Sequence, residues 1–123
     1  MERRDPRDLI GVPFRLHGRD PTTGLDCVGV LAWTFGDRLV PTGYVLRQGS
    51  PDAIIDGFAR AGLVPVVQVS PGDALLFQAG PAQFHLGIKT DSGVVHACAL
   101  LRRVVEAPGF PHWPLIGAWR QED

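Results

Sequence analysis

The stretch Phe84-His85-Leu86-Gly87-Ile88-Lys89-Thr90-Asp91-Ser92-Gly93-Val94-Val95-His96-Ala97-Cys98 reads as two β-strands joined by a tight hairpin turn. In the first strand Phe84, Leu86 and Ile88 alternate with His85 and Gly87. Three apolar side chains therefore share one face, and His85 lies on the other with Gly87 leaving space beside its ring. His96 returns on the second strand, where it can meet His85. Cys98 follows two residues later, on the same face as His96.

Working outward, the same β-branched texture continues over residues 64–69, 74–78, 101–105 and 115–120. Turn residues such as Pro71-Gly72-Asp73 separate these runs. Upstream of Leu63 the pattern changes. Asp26 is a good N-cap for a mostly apolar helix over residues 27–35, ended by Gly36. A second helix is signalled by Ser50 as cap and Pro51 at its first position. Ile54, Ile55, Phe58 and Ala61 give it one buried face, and Gly62 ends it. Residues 3–10 read as a short opening helix stopped by Gly11 and Pro13, and residues 14–25 as turns around Gly18, Pro21 and Gly24. Helices first and antiparallel strands afterwards imply an α+β fold.

Composition sets the outer bounds. With 123 residues, the chain is expected to form one domain, 1–123. Apolar residues at 45% and charged residues at 20% are globular values, and no apolar run approaches the roughly 18 residues of a membrane span. A net charge of −1 argues against nucleic acid or an anionic membrane as partner. The charged start Met-Glu-Arg-Arg-Asp-Pro-Arg-Asp leads to the expectation of no secretory signal. Two cysteines are too few to staple a small secreted scaffold. There are 11 arginines, one lysine (Lys89) and no asparagine, so a Cys-His-Asn triad is impossible.

Cys27 falls in the first turn of a helix, where unpaired N–H groups and the helix dipole favour a thiolate. A nucleophilic cysteine also needs a histidine within hydrogen-bond reach, and a third polar group to orient that histidine. His85 and His96 can fill those two places. Buried cysteines and strand histidines are, taken singly, ordinary structural residues. A zinc site made of Cys27, His85, His96 and Cys98 is a rival, although no CxxC or HxxxH spacing anchors it. His17 and His112 lie in turn-rich segments and are expected to face solvent. Trp113 and Trp119, beside Phe110 and Pro111, read as core, with a docking surface as the alternative.

Several segments then combine: Gly11-Val12-Pro13-Phe14, Gly18-Arg19-Asp20-Pro21, Gly24-Leu25-Asp26-Cys27-Val28-Gly29, Pro71-Gly72-Asp73-Ala74-Leu75-Leu76-Phe77, His85-Leu86-Gly87-Ile88 and Val94-Val95-His96-Ala97. In order and spacing, over residues 9–97, they resemble the NlpC family of cysteine peptidases and its p-sixty relatives, most closely the phage-tail-associated branch. The resemblance implies a reduced papain-like fold, with N-terminal helices packed on an antiparallel sheet. It implies Cys27 as nucleophile, His85 as general base and His96 as the residue orienting that base. The substrate class implied is peptidoglycan stem peptides, commonly cut between D-glutamate and a diamino acid. Two positions depart from the family: Phe14 where tyrosine is frequent, and Val28 where cell-wall enzymes usually have serine.

The expectation is therefore a thiol hydrolase without metal or organic cofactor, with the Cys27 N–H helping to hold the oxyanion and Phe14 a candidate substrate contact. Its partners would be peptidoglycan peptides and phage-tail proteins, with the protein made in the cytoplasm and acting at the cell wall from a phage or phage-like tail. A catalytically silent tail-tip component and a thiol acyltransferase are the alternatives.

Overall fold

The computed structural model describes residues 4–36 and 51–121. Helix α1 spans Cys27–Phe35 and forms for the expected local reasons. Asp26 is extended, its Oδ1 accepts the Gly29 N–H at 2.8 Å, and its carbonyl accepts the Val30 N–H at 3.0 Å. Gly36 ends the helix with φ 112°. Val28, Val30, Leu31, Ala32 and Phe35 are all buried, so α1 is a central helix rather than a surface one. Helix α2, Asp52–Arg60, starts one residue after Pro51, whose carbonyl accepts the Ile55 N–H at 3.0 Å. Phe58 on its inner face is buried, and Ile54, Ile55 and Ala61 are half-buried against the core. Ser50, the expected cap, lies outside the described residues.

Two segments differ from expectation. The opening helix shrinks to a single 3-10 turn, Pro6–Leu9, with Asp5 accepting the Arg7 N–H at 3.0 Å. It ends there because the chain straightens to bond a later strand: Gly11 N–H donates to Val104 O at 2.9 Å, and Val104 N–H to Val12 O at 2.8 Å. The turn-rich region before α1 holds two short strands, β1 (Arg19–Asp20) and β2 (Gly24–Leu25), paired antiparallel.

Strands β3 (Leu63–Val66), β4 (Ala74–Gly80), β5 (Gln83–Lys89), β6 (Gly93–Cys98), β7 (Arg103–Pro108) and β8 (Leu115–Gln121) form one antiparallel sheet. Their spatial order is β3-β8-β4-β5-β6-β7. The fold is thus α+β, as its element order implied. Strand β7 begins at Arg103 rather than at Leu101, because Arg102 takes a positive φ of 60° to complete the preceding turn.

Alternation gives the sheet two buried faces. Ala74, Leu76, Phe84, Leu86, Ile88, Val95 and Ala97 form one core with α1 and with the inner face of α2. Phe58 meets Trp119 there, with ring centroids 4.5 Å apart. Leu75, Phe77, Val94 and Ala118 make a second cluster on the opposite face, with Trp113 packed against it. Asp73, at the start of β4, is 1% exposed and accepts both Arg120 Nε (2.9 Å) and a terminal guanidinium nitrogen (3.0 Å), tying β4 to β8. Among the described residues no helix is long and apolar enough to cross a membrane.

Candidate active site

The sequence around Cys27 is rich in glycine because backbone must approach backbone. A Cβ on Gly29 would lie 2.2 Å from the Gly18 carbonyl oxygen, and one on Gly18 would lie 2.2 Å from that of Gly24. The β1–β2 hairpin can therefore lie directly against the start of α1. Asp26 fastens the junction: besides Gly29, it accepts the His17 N–H at 2.8 Å and the Arg19 guanidinium at 3.0 Å. Cys27 is thereby held in the first turn of α1, ahead of the helix's own hydrogen-bond ladder.

His85 and His96 reach the same place from the sheet. The β5–β6 ladder pairs Ile88 with Val95 and Lys89 with Val94 and stops short of the two histidines. His85 Nε2 and His96 Nδ1 are 2.8 Å apart, with the rings nearly perpendicular at 89°. Gly87 does not leave open space beside the His85 ring, contrary to the reading from alternation. A Cβ there would lie 2.6 Å from Val94 Cγ1 and 3.2 Å from the Val95 carbonyl oxygen. Gly87 instead lets β6 close in and deliver His96 to His85.

Cys27, His85 and His96 line one cleft of about 830 Å3, together with Phe14, Phe84 and Trp113. Cys98 and His17 also line it. His17 is exposed at the rim rather than turned away, and exposed His112 stands outside with its ring 5.5 Å from Trp113. Among the described residues no group of three or more His, Cys, Asp or Glu is disposed to hold a metal ion. The tryptophans divide: Trp119 belongs to the core, whereas Trp113 is a half-buried wall of the cleft. Strand pattern gave no sign of this, because Trp113 is carried by a loop.

The electrostatics also differ from expectation. Burial first, and then the Asp26 carboxylate, push the Cys27 thiol up to about 12. The N–H groups of Leu86, Val28 and Cys27 pull the other way without prevailing. Burial, followed by neighbouring His96, pushes His85 down to about 3, and burial lowers His96 as well. The helix start therefore does not produce a resting thiolate. These shifts favour the neutral thiol and two neutral imidazoles among the residues that line the cleft. Since His85 Nε2 is engaged with His96, its Nδ1 is the nitrogen left to take a proton.

No family model matches this chain, and no curated protein matches it. Solved structures do. The peptidoglycan hydrolase RipB from Mycobacterium tuberculosis superposes with a TM-score of 0.59 at 20% identity, over 96% of this chain and 61% of that one. A Staphylococcus aureus protein similar to lipoprotein, of the NLP and p-sixty family, gives 0.54 at 22% identity, over 96% of this chain and 39% of that one. The chain thus spans less than two thirds of the length of either protein. It shares their α+β fold, a likeness that agrees with the NlpC resemblance of its motifs.

Proposed function

We propose that this chain is a cysteine endopeptidase that hydrolyses peptide bonds in peptidoglycan stem peptides. The observation that carries the reading is the convergence of Cys27, His85 and His96 on one cleft, with His85 Nε2 held 2.8 Å from His96 Nδ1. The fold shared with a mycobacterial peptidoglycan hydrolase supports the substrate class, and the motif resemblance supports the bond between D-glutamate and a diamino acid. A setting in a phage or phage-like tail, with action at the cell wall, rests on the motif resemblance alone.

His85 Nδ1 takes the proton from the Cys27 thiol as Sγ attacks the scissile carbonyl carbon. For this, His85 Nε2 must carry a hydrogen and donate it to His96 Nδ1, a tautomer assignment that follows from the roles. The carbonyl oxygen becomes an oxyanion that meets N–H groups at the start of α1, including that of Cys27. Losing such a donor costs roughly 10²–10³ in rate. His85 then returns its proton to the departing amine, leaving a thioester on Cys27. Water, deprotonated by His85, attacks the thioester and releases the carboxylate product, and the thiol is restored.

The deciding experiment incubates purified sacculi with wild type and with Cys27→Ala, followed by mass spectrometry of the released peptides. Release by wild type alone supports the hydrolase, and fragment masses identify the bond. Absence of release by both, from walls of several chemotypes, favours a silent structural component. Acyl transfer to an added amine in place of hydrolysis favours a thiol acyltransferase.

A further inference from the structure

Beyond Cys27, His85 and His96, the cleft contains a residue that touches both histidines. Trp113 has its ring centroid 5.0 Å from His85 and 5.9 Å from His96, at steep interplanar angles of 69° and 82°. It also packs on Phe77 of the second core cluster, with ring centroids 6.1 Å apart. The loop that carries it is braced. Phe110 packs edge-on to Phe77 at 6.4 Å, the Gln78 N–H donates to the Pro114 carbonyl at 2.9 Å, and Pro111 and Pro114 flank the tryptophan in sequence.

We propose that Trp113 is a positioning residue, which covers the His85–His96 hydrogen bond on the cleft side and holds both imidazole planes in the orientation that points His85 Nδ1 at the Cys27 thiol. This rests on the reading of His85 as base and His96 as its partner. The physical need is plain. In the resting site the orienting group is a neutral imidazole rather than a carboxylate, so there is no charge-assisted pull, and water competes with a single neutral hydrogen bond. An indole packed against both rings excludes that water and restricts ring rotation without adding charge. His85 ends the first proton transfer as an imidazolium, so its orientation has to survive a change of charge. A wall anchored in the hydrophobic core supplies a fixed reference through that change.

The test compares wild type, Trp113→Phe and Trp113→Ala in two ways, with Trp113→Leu replacing the alanine variant should that protein not fold. NMR titration of the histidine rings needs no substrate. Opening the cleft to water relieves the desolvation that lowers His85, so its titration should move up toward its ordinary 6.5 by about 1 pH unit or more in Trp113→Ala, and far less in Trp113→Phe. On stem peptides, Trp113→Ala should lose about tenfold or more in kcat with KM within about threefold, and the acid limb of the rate profile should move up with the ring titration. Trp113→Phe should retain most of the rate. A folded alanine or leucine variant whose rings titrate as in wild type overturns the proposal, as does a loss confined to KM. Should the wild type cleave no peptide, the hydrolase reading fails by that result, while the ring titration still decides whether Trp113 governs the pair.

Discussion

Cys27 sits between opposing influences, since the N–H groups at the helix start favour a thiolate while burial and the capping carboxylate of Asp26 oppose it. The structure favours the second, with the thiol pushed up to about 12. In a Cys98→Ser background, alkylation of Cys27 by iodoacetamide should be slow at pH 7. It should accelerate by about tenfold per pH unit through pH 9, following the thiolate fraction. A rate already level by pH 6 would mean a preformed thiolate–imidazolium pair and sink this account. In the proposed mechanism His96 accepts a hydrogen bond at Nδ1, which only its neutral form can do, and burial disfavours its charged form. His96→Ala should lower kcat by about 10- to 100-fold with little change in KM. His96→Gln, whose carbonyl oxygen can still accept, should keep more of the rate. Equal losses in the two variants would point to packing instead.

At the scale of elements, the site depends on how closely β6 lies against β5. Gly87 permits that approach, and its Cβ-bearing replacement would press on Val94 Cγ1 and on the Val95 carbonyl. Gly87→Ala should therefore cost about 1–3 kcal/mol by overpacking. It should also reduce kcat, because the strand that must shift is the one carrying His96. A variant that lost stability but kept full kcat would show that the two strands can part without disturbing the histidines. Besides their backbone ladder, β4 and β8 are linked by an ion pair. Asp73 is buried and doubly bonded to Arg120, and it also accepts the Ser70 N–H at 2.8 Å. Because the Arg120 side chain is 43% exposed, solvent moderates the loss on removing its partner. Asp73→Ala should cost about 1–3 kcal/mol, and each kcal/mol lowers Tm by roughly 4 °C, between the ranges for smaller and larger domains.

For the molecule as a whole, the buried histidine pair couples folding to pH. His85 titrates near 3 in the folded protein, against an ordinary 6.5 when the chain unfolds. Between those values the unfolded state binds a proton that the native state refuses, so stability falls as pH drops below 6.5. The slope from one such group approaches about 1.4 kcal/mol per pH unit, and the lowered His96 acts in the same direction. Denaturant unfolding at several pH values should show His85→Gln flattening this dependence between pH 4 and 6, inside the window from about 3 to 6.5 where the histidine contributes. An unchanged slope in the variant would assign the acid sensitivity to carboxylates.

Much of this protein was legible without coordinates. Asp26, Cys27 and Gly36 mark the limits of α1, because capping, dipole and chain termination act over a few adjacent residues. Alternation at Phe84, Leu86 and Ile88 assigned the buried face of β5, because side chains on a strand must alternate. Tertiary structure alone decided the rest. It put Trp113 on the histidine pair from a loop that has no periodicity to read, and it turned Gly87 from apparent room into close strand contact. It also set the protonation of the site: helix position argued for a thiolate, but the depth of the cleft and the neighbouring carboxylate decided for a neutral thiol. Desolvation depends on what the whole chain packs around a group, and no local pattern of residues carries that information.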